Sequence, residues 1–94
     1  MSKRSITIVG RVSRLSKNTA QGICCLSFWL TVEQGPHLTK VLRVCGEIWS
    51  SQLVMAEQIE EGSLVTLIGC LKEPDPAAMI QLPGFDLEQV LEVA

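Results

Sequence analysis

The chain contains no tyrosine and only four aromatic residues, Phe28, Trp29, Trp49 and Phe85. Any core must therefore be filled mainly by aliphatic side chains. There is a single histidine, His37, beside Pro36 in a turn-like stretch, where a solvated polar role is the usual one. No Ser-His-Asp arrangement is placed by a nucleophile-elbow motif. Gly62-Ser63 lacks the lysine and flanking glycines of a phosphate loop. The carboxylates of Glu60 and Glu61 are adjacent, so on a helix they do not face each other. These absences argue against an enzyme and call for no cofactor.

No apolar run approaches the length of a membrane span. The basic start Met1-Ser2-Lys3-Arg4 leads into a segment broken by Arg11 and Arg14, which is not the pattern of a signal peptide. The expected location is cytoplasmic, with no membrane partner. Cys24, Cys25, Cys45 and Cys70 have no C-x-x-C spacing, so no metal site is expected. In a reducing compartment they should be free thiols that behave as small apolar groups. Cys24 and Cys25 are neighbours on a predicted strand and point to opposite faces.

What is present is enough for one domain. The chain has 94 residues, 47% of them hydrophobic, which allows a modest core and argues against disorder. The net charge of −2 conceals an asymmetry. Lys3, Arg4, Arg11, Arg14, Lys17, Lys40 and Arg43 face only Glu33 in the first 43 residues, a net of +6. The remainder carries a net of −8. A basic half suggests a polyanion-binding surface; chance clustering on a solvated surface is the alternative.

The chain reads as short alternating strands. Ser5 to Leu15 is strand one, with Ile6, Ile8, Gly10 and Val12 on one face. Ser16 to Gly22 is a polar loop. Ile23 to Val32 is strand two, with Leu26, Phe28, Leu30 and Val32 inward and Cys25, Ser27, Trp29 and Thr31 outward. A turn at Glu33 to His37 leads into strand three, Leu38 to Gly46. Leu42 and Val44 face inward there, and Lys40 shares their parity, which places it at a rim or beyond a bulge. Ser50 or Ser51 caps a helix running to about Glu61, with Leu53, Val54, Ala56 and Ile59 as its apolar stripe and Gly62 as its stop. Strand four is Ser63 to Leu71. A proline-broken loop, Lys72 to Ala78, is followed by a short strand at Met79 to Leu82 and a turn at Pro83-Gly84. Leu87 to Val93 is a last strand or a helical turn. Gly10 and Gly69 each stand where an alternating strand would carry a side chain, the mark of a bulge or a barrel corner.

Three strands, a helix and then one or two strands match the five-stranded Greek-key barrel of the oligonucleotide-binding (OB) fold, an all-β class with one helix. The residues themselves resemble bacterial single-stranded DNA-binding proteins and their relative, primosomal replication protein N. The resemblance lies in "ITIVGRV", "CLSFWLTV", "TKVLRVCGEIW" and "EQIEEGSLVTLIGCL", across roughly residues 5 to 71. It implies binding of single-stranded DNA in replication, replication restart, or plasmid or phage maintenance, with replication proteins as possible partners and a homodimer or homotetramer as the assembly. The sequence departs from that family in its few aromatics, in Thr39 near a position where the family often has one, and in its short turns. It ends "LEQVLEVA", without the acidic, phenylalanine-terminated tail of the main single-stranded DNA-binding proteins, and in this it is more similar to primosomal replication protein N.

Single-strand binding needs cations for phosphates and flat side chains for bases. Trp29 places a large aromatic on the non-core face and is the candidate stacking residue; packing in a subunit interface or under a loop is the alternative. Arg11, Arg14, Lys17, Lys40 and Arg43 are candidate phosphate contacts. Trp49 should pack against the helix, and Phe28 in the core. The outer face of strand four (Leu64, Thr66, Ile68, Cys70) is apolar enough to be a subunit interface, unless Leu87, Val90, Leu91 and Val93 cover it. RNA binding, or a protein-interaction role without nucleic acid, are the other functions such a barrel serves.

Overall fold

The computed structural model describes residues 4–49, 52–74 and 76–94. Five strands close into a barrel in the order β1-β2-β3-β5-β4. They are β1 (Ile6–Ala20), β2 (Ile23–Gly35), β3 (Leu38–Trp49), β4 (Leu64–Lys72) and β5 (Gly84–Val93), with a five-residue helix α1 (Leu53–Glu57) between β3 and β4. All neighbours are antiparallel except β3 and β5, which pair in parallel through Arg43–Cys45 and Gly84–Asp86. This is the five-stranded barrel expected from the order of elements.

The inward faces follow the alternation in the sequence. Val12, Leu26, Phe28, Leu30, Leu42, Val44, Val65 and Leu67 are buried, together with Phe85, Leu87 and Val90 of β5. Residues 87–93 are therefore a strand, of which Leu87 and Val90 complete the core while Leu91 is exposed. They pair beside β4 and do not cover its outer face. Residues 79–82 form no strand.

The polar segment Ser16 to Ala20 is also a strand. It pairs with Ile23–Ser27, and the turn between is only Gln21-Gly22. Both residues have positive φ, 54° and 77°, as a two-residue type I′ hairpin turn requires. Polar side chains do not prevent pairing here, because the ladder is made by the backbone.

Gly10 stands where β1 changes partners. Ile6–Arg11 pairs with β4, and Arg11–Ala20 with β2. A Cβ on Gly10 would lie 2.6 Å from the Thr31 carbonyl oxygen and 2.7 Å from Leu30 Cγ. Gly69 sits at a register shift between β4 and β5; a Cβ there would lie 2.0 Å from the Asp86 carbonyl oxygen and 2.7 Å from the Phe85 ring. Both glycines thus mark barrel corners where no side chain fits.

The helix closes one end of the barrel through buried Ala56, with Ile59 just beyond it. It is shorter than the pattern predicts, ending at Glu57 and not near Glu61. Ser50 and Ser51, read as its caps, lie outside the described residues; the N-cap position is Gln52, whose side chain instead accepts a hydrogen bond from the Val90 N–H at 2.8 Å. Val54 is 66% exposed, and Met55 takes the inward place beside Leu53. Gly62 does not end the helix. Its φ of 84° turns the chain into β4, and its N–H donates to the Val12 carbonyl at 2.8 Å. Trp49 does not pack on the helix either: it ends β3 opposite Ile23 and is 58% exposed.

Candidate nucleic-acid interface

The outer face of β1–β2–β3 is built by parity. Residues facing away from the core include Arg11 and Ser13 on β1, Ser27, Trp29 and Thr31 on β2, and Val41, Arg43 and Cys45 on β3. Register sets their neighbours. Trp29 lies opposite Ser13 on one side and Arg43 on the other. The basic half of the sequence becomes one side of the barrel because the β1–β2–β3 meander comes first in the chain. The acidic half supplies α1, β4 and β5.

A bulge in β1 shapes this face. Between Ser13 and Ser16 the strand takes three steps while β2 takes two, from Trp29 to Ser27. Arg14 lies in the extra turn of backbone with φ 53°. That left-handed conformation costs a non-glycine residue about 1–2 kcal/mol. Two contacts offset it. Glu61 accepts hydrogen bonds from the N–H groups of Arg14 (3.2 Å) and Leu15 (2.5 Å). The Arg14 guanidinium lies over the Trp29 ring, 4.2 Å from its centroid, a cation–π contact of about 0.5–1 kcal/mol at an exposed site.

The bulge also inverts the parity of the rest of β1. Leu15 now packs on the core, and Lys17 sits opposite buried Leu26. The Lys17 ammonium donates to the carbonyl oxygens of Glu57 (2.8 Å) and Ile59 (2.9 Å) at the end of α1. Carbonyls left unpaired at a helix C-terminus are a natural seat for a cation.

Of the sequence candidates, Trp29, Arg14 and Arg43 come together. Arg11 is one outward position along from Ser13, with its Nη1 3.0 Å from the Gly62 carbonyl oxygen. It lines a groove of about 350 Å³ with Val9, Thr31, Glu33 and Leu64. Lys40 is exposed at the rim, where its parity requires, and lines a hollow with Leu71, Lys72, Glu73, Pro74 and Pro83. Lys17 is at the helix end, apart from Trp29. Glu61 was not among the candidates. Nothing in its local sequence points to β1, some 46 residues away.

On the outer face of β4, Leu64 is 38% exposed, Thr66 and Ile68 are half-buried, and Cys70 is buried. Cross-strand neighbours Val9 and Thr7 extend the strip onto β1. Cys70 donates to the Glu88 carboxylate at 3.1 Å, and Ser5 donates to the same carboxylate at 2.7 Å. These two hydrogen bonds, Ser5 first, hold the Glu88 carboxyl below its ordinary pKa. Cys24 and Cys70 are buried, whereas Cys25 and Cys45 are exposed and so are not the apolar fillers expected. Among the described residues, no cluster of His, Cys, Asp or Glu is placed to hold a metal ion, and no helix is long and apolar enough to cross a membrane.

No protein-family model matches the chain, and no curated protein sequence does. The fold does match a solved structure. The mitochondrial single-stranded DNA-binding protein Rim1 of S. cerevisiae superposes with a TM-score of 0.59 at 16% sequence identity, over 97% of this chain and 95% of that one. At that identity the likeness is one of architecture. The chain is a five-stranded oligonucleotide-binding (OB) barrel.

Proposed function

We propose that this protein binds single-stranded nucleic acid, DNA in the first place, along the outer face of β1–β2–β3. The observation that carries this reading is Trp29 on the outer sheet face with the Arg14 guanidinium over its ring and Arg43 opposite it in register on β3. Strands two and three are the usual binding surface of this barrel. The likeness to a protein named for single-stranded DNA binding supports the same ligand. Trp29, with the Arg14 guanidinium over it, supplies the flat surface for a base, and Arg43 and Arg11 meet phosphates. Lys40 extends the basic edge toward the β4–β5 connection. Lys17, committed to the helix end, contributes least.

Binding is passive and weakens as salt rises, because each phosphate contact releases counterions. The protein would serve DNA replication, replication restart, or plasmid or phage maintenance in a bacterial cytoplasm, in the manner of a primosomal accessory protein working with replication proteins. The apolar strip of Val9, Leu64, Thr66 and Ile68 supports a homodimer or homotetramer.

A fluorescence titration with oligo-dT at low salt, repeated at rising salt, tests the reading. Trp29→Ala should cost about 1–3 kcal/mol of binding, the contribution of a stacking aromatic. An affinity unchanged within about 0.5 kcal/mol overturns the role of Trp29. A matching oligo-U titration separates RNA from DNA. Absence of salt-dependent binding to either polymer favours the second reading, a protein-interaction barrel, for which the same apolar strip is the supporting observation.

A further inference from the structure

The contact between Arg14 and Trp29 leaves no room for a base between them. A separation of 4.2 Å is close to van der Waals contact, about 3.5–4.0 Å between carbon atoms. Trp29 itself is only partly exposed. Arg14, by contrast, is exposed, and a guanidinium is flat and can stack on a base as an aromatic ring does. Its position depends on the bulge, and the bulge depends on Glu61. Those two hydrogen bonds to the carboxylate, together with the cation–π contact, offset the left-handed conformation of Arg14.

We infer that Glu61 is a positioning residue of the binding platform, and that the surface offered to a base is the Arg14 guanidinium backed by the Trp29 indole. The inference rests on the function proposed above. It makes an acidic residue favourable to binding a polyanion, the reverse of what net charge alone dictates. The loop that carries Glu61 has its own supports. Gly62 N–H donates to the Val12 carbonyl at 2.8 Å, Glu60 N–H to the Ser63 hydroxyl at 3.0 Å, and Ser63 N–H to the Glu60 carbonyl at 3.0 Å. Removing the carboxylate therefore releases the bulge without removing the loop.

The test uses a Trp49→Phe background, so that Trp29 is the only indole. In the free protein, Glu61→Ala should raise acrylamide quenching of Trp29 to the level given by Arg14→Ala. Against oligo-dT, Glu61→Ala should bind about two- to fivefold more weakly, the range an exposed cation–π contact is worth, although it removes a negative charge. The slope of affinity against salt should change little, because a guanidinium stacked on a base is not a phosphate contact. Arg14→Lys, which keeps the charge and loses the plane, should weaken binding by a similar factor with the slope retained. Quenching unchanged in a folded Glu61→Ala variant, or binding as tight as or tighter than the parent's, overturns the positioning role. Should the alanine variant not fold, Glu61→Gln, with one acceptor oxygen in place of two, carries the same readouts. If the parent itself does not bind oligo-dT, the proposed function fails, and the quenching measurement alone still decides whether Glu61 holds Arg14 over Trp29.

Discussion

The ammonium of Lys17 donates to the main-chain carbonyl of Glu57 at 2.8 Å, joining a residue of the β1–β2 ladder to the end of the only helix among the described residues. A second hydrogen bond to the Ile59 carbonyl completes the seat. Lys17→Ala should therefore lower stability by about 1 kcal/mol, the usual worth of such a hydrogen bond, in a urea melt. Its affinity for oligo-dT should stay close to that of the parent. A large loss of binding with no loss of stability would place Lys17 among the phosphate contacts instead.

Arg43→Ala should show the opposite pattern. Arg43 is exposed on β3 opposite Trp29, and surface substitutions of this kind move stability by no more than about 0.5 kcal/mol. The slope of log affinity against log salt should fall by about one unit. A titration series over several salt concentrations measures it.

Gly69→Ala should be severely destabilising. The new methyl group would meet the Asp86 carbonyl oxygen at 2.0 Å and the Phe85 ring at 2.7 Å, and overpacking of this kind costs about 1–3 kcal/mol or more. Gly22→Ala is the control. No atom lies within 4 Å of its added Cβ, so only the left-handed backbone, φ 77°, is strained, at about 1–2 kcal/mol. Thermal melts of the two variants should rank Gly69→Ala as the less stable.

Thiol labelling should divide the four cysteines into two pairs. Cys25 and Cys45 are exposed on the outer face of β2 and β3 and should react promptly with an alkylating reagent. Cys24 and Cys70 are buried and should react only when the barrel opens. Oligo-dT should slow labelling of Cys45, which lies one outward position from Arg43 on β3.

Acid should weaken the barrel in part through Glu88. Its folded-state pKa is lowered, first by the Ser5 hydroxyl and then by the Cys70 thiol. A depressed carboxyl pKa contributes stability that is present above the unfolded value, 4.5, and is lost as pH falls through the folded value. Ser5→Ala should flatten that part of the stability–pH curve below pH 4.5. Urea melts across the acid range would reveal it.

The strand cores were legible because burial on one face imposes a period of two. Leu26, Phe28 and Leu30 read as core and are core; Gly10 and Gly69 read as corners and are corners. The polar half of β1 was not legible, because Ser16 to Ala20 carries no apolar alternation and its pairing is made by backbone groups common to every residue. Val54 and Trp49 were misplaced for a related reason. A helix of five residues has too few turns for an apolar stripe to define its inward face, and a residue that ends a strand is free of the helix that follows.

The sequence by itself determined a small aliphatic-cored barrel, a basic first half and an outward tryptophan on strand two. All three follow from local alternation and composition. Only the tertiary structure decided which cations stand beside that tryptophan. One extra residue in β1 turns Arg14 onto the Trp29 ring, swings Lys17 to the far side of the strand and delivers it to the helix end. Glu61, which holds the bulge, reaches it from 46 residues away. The physical reason is that a bulge inverts the parity of everything after it, and a contact between distant segments leaves no period in either one.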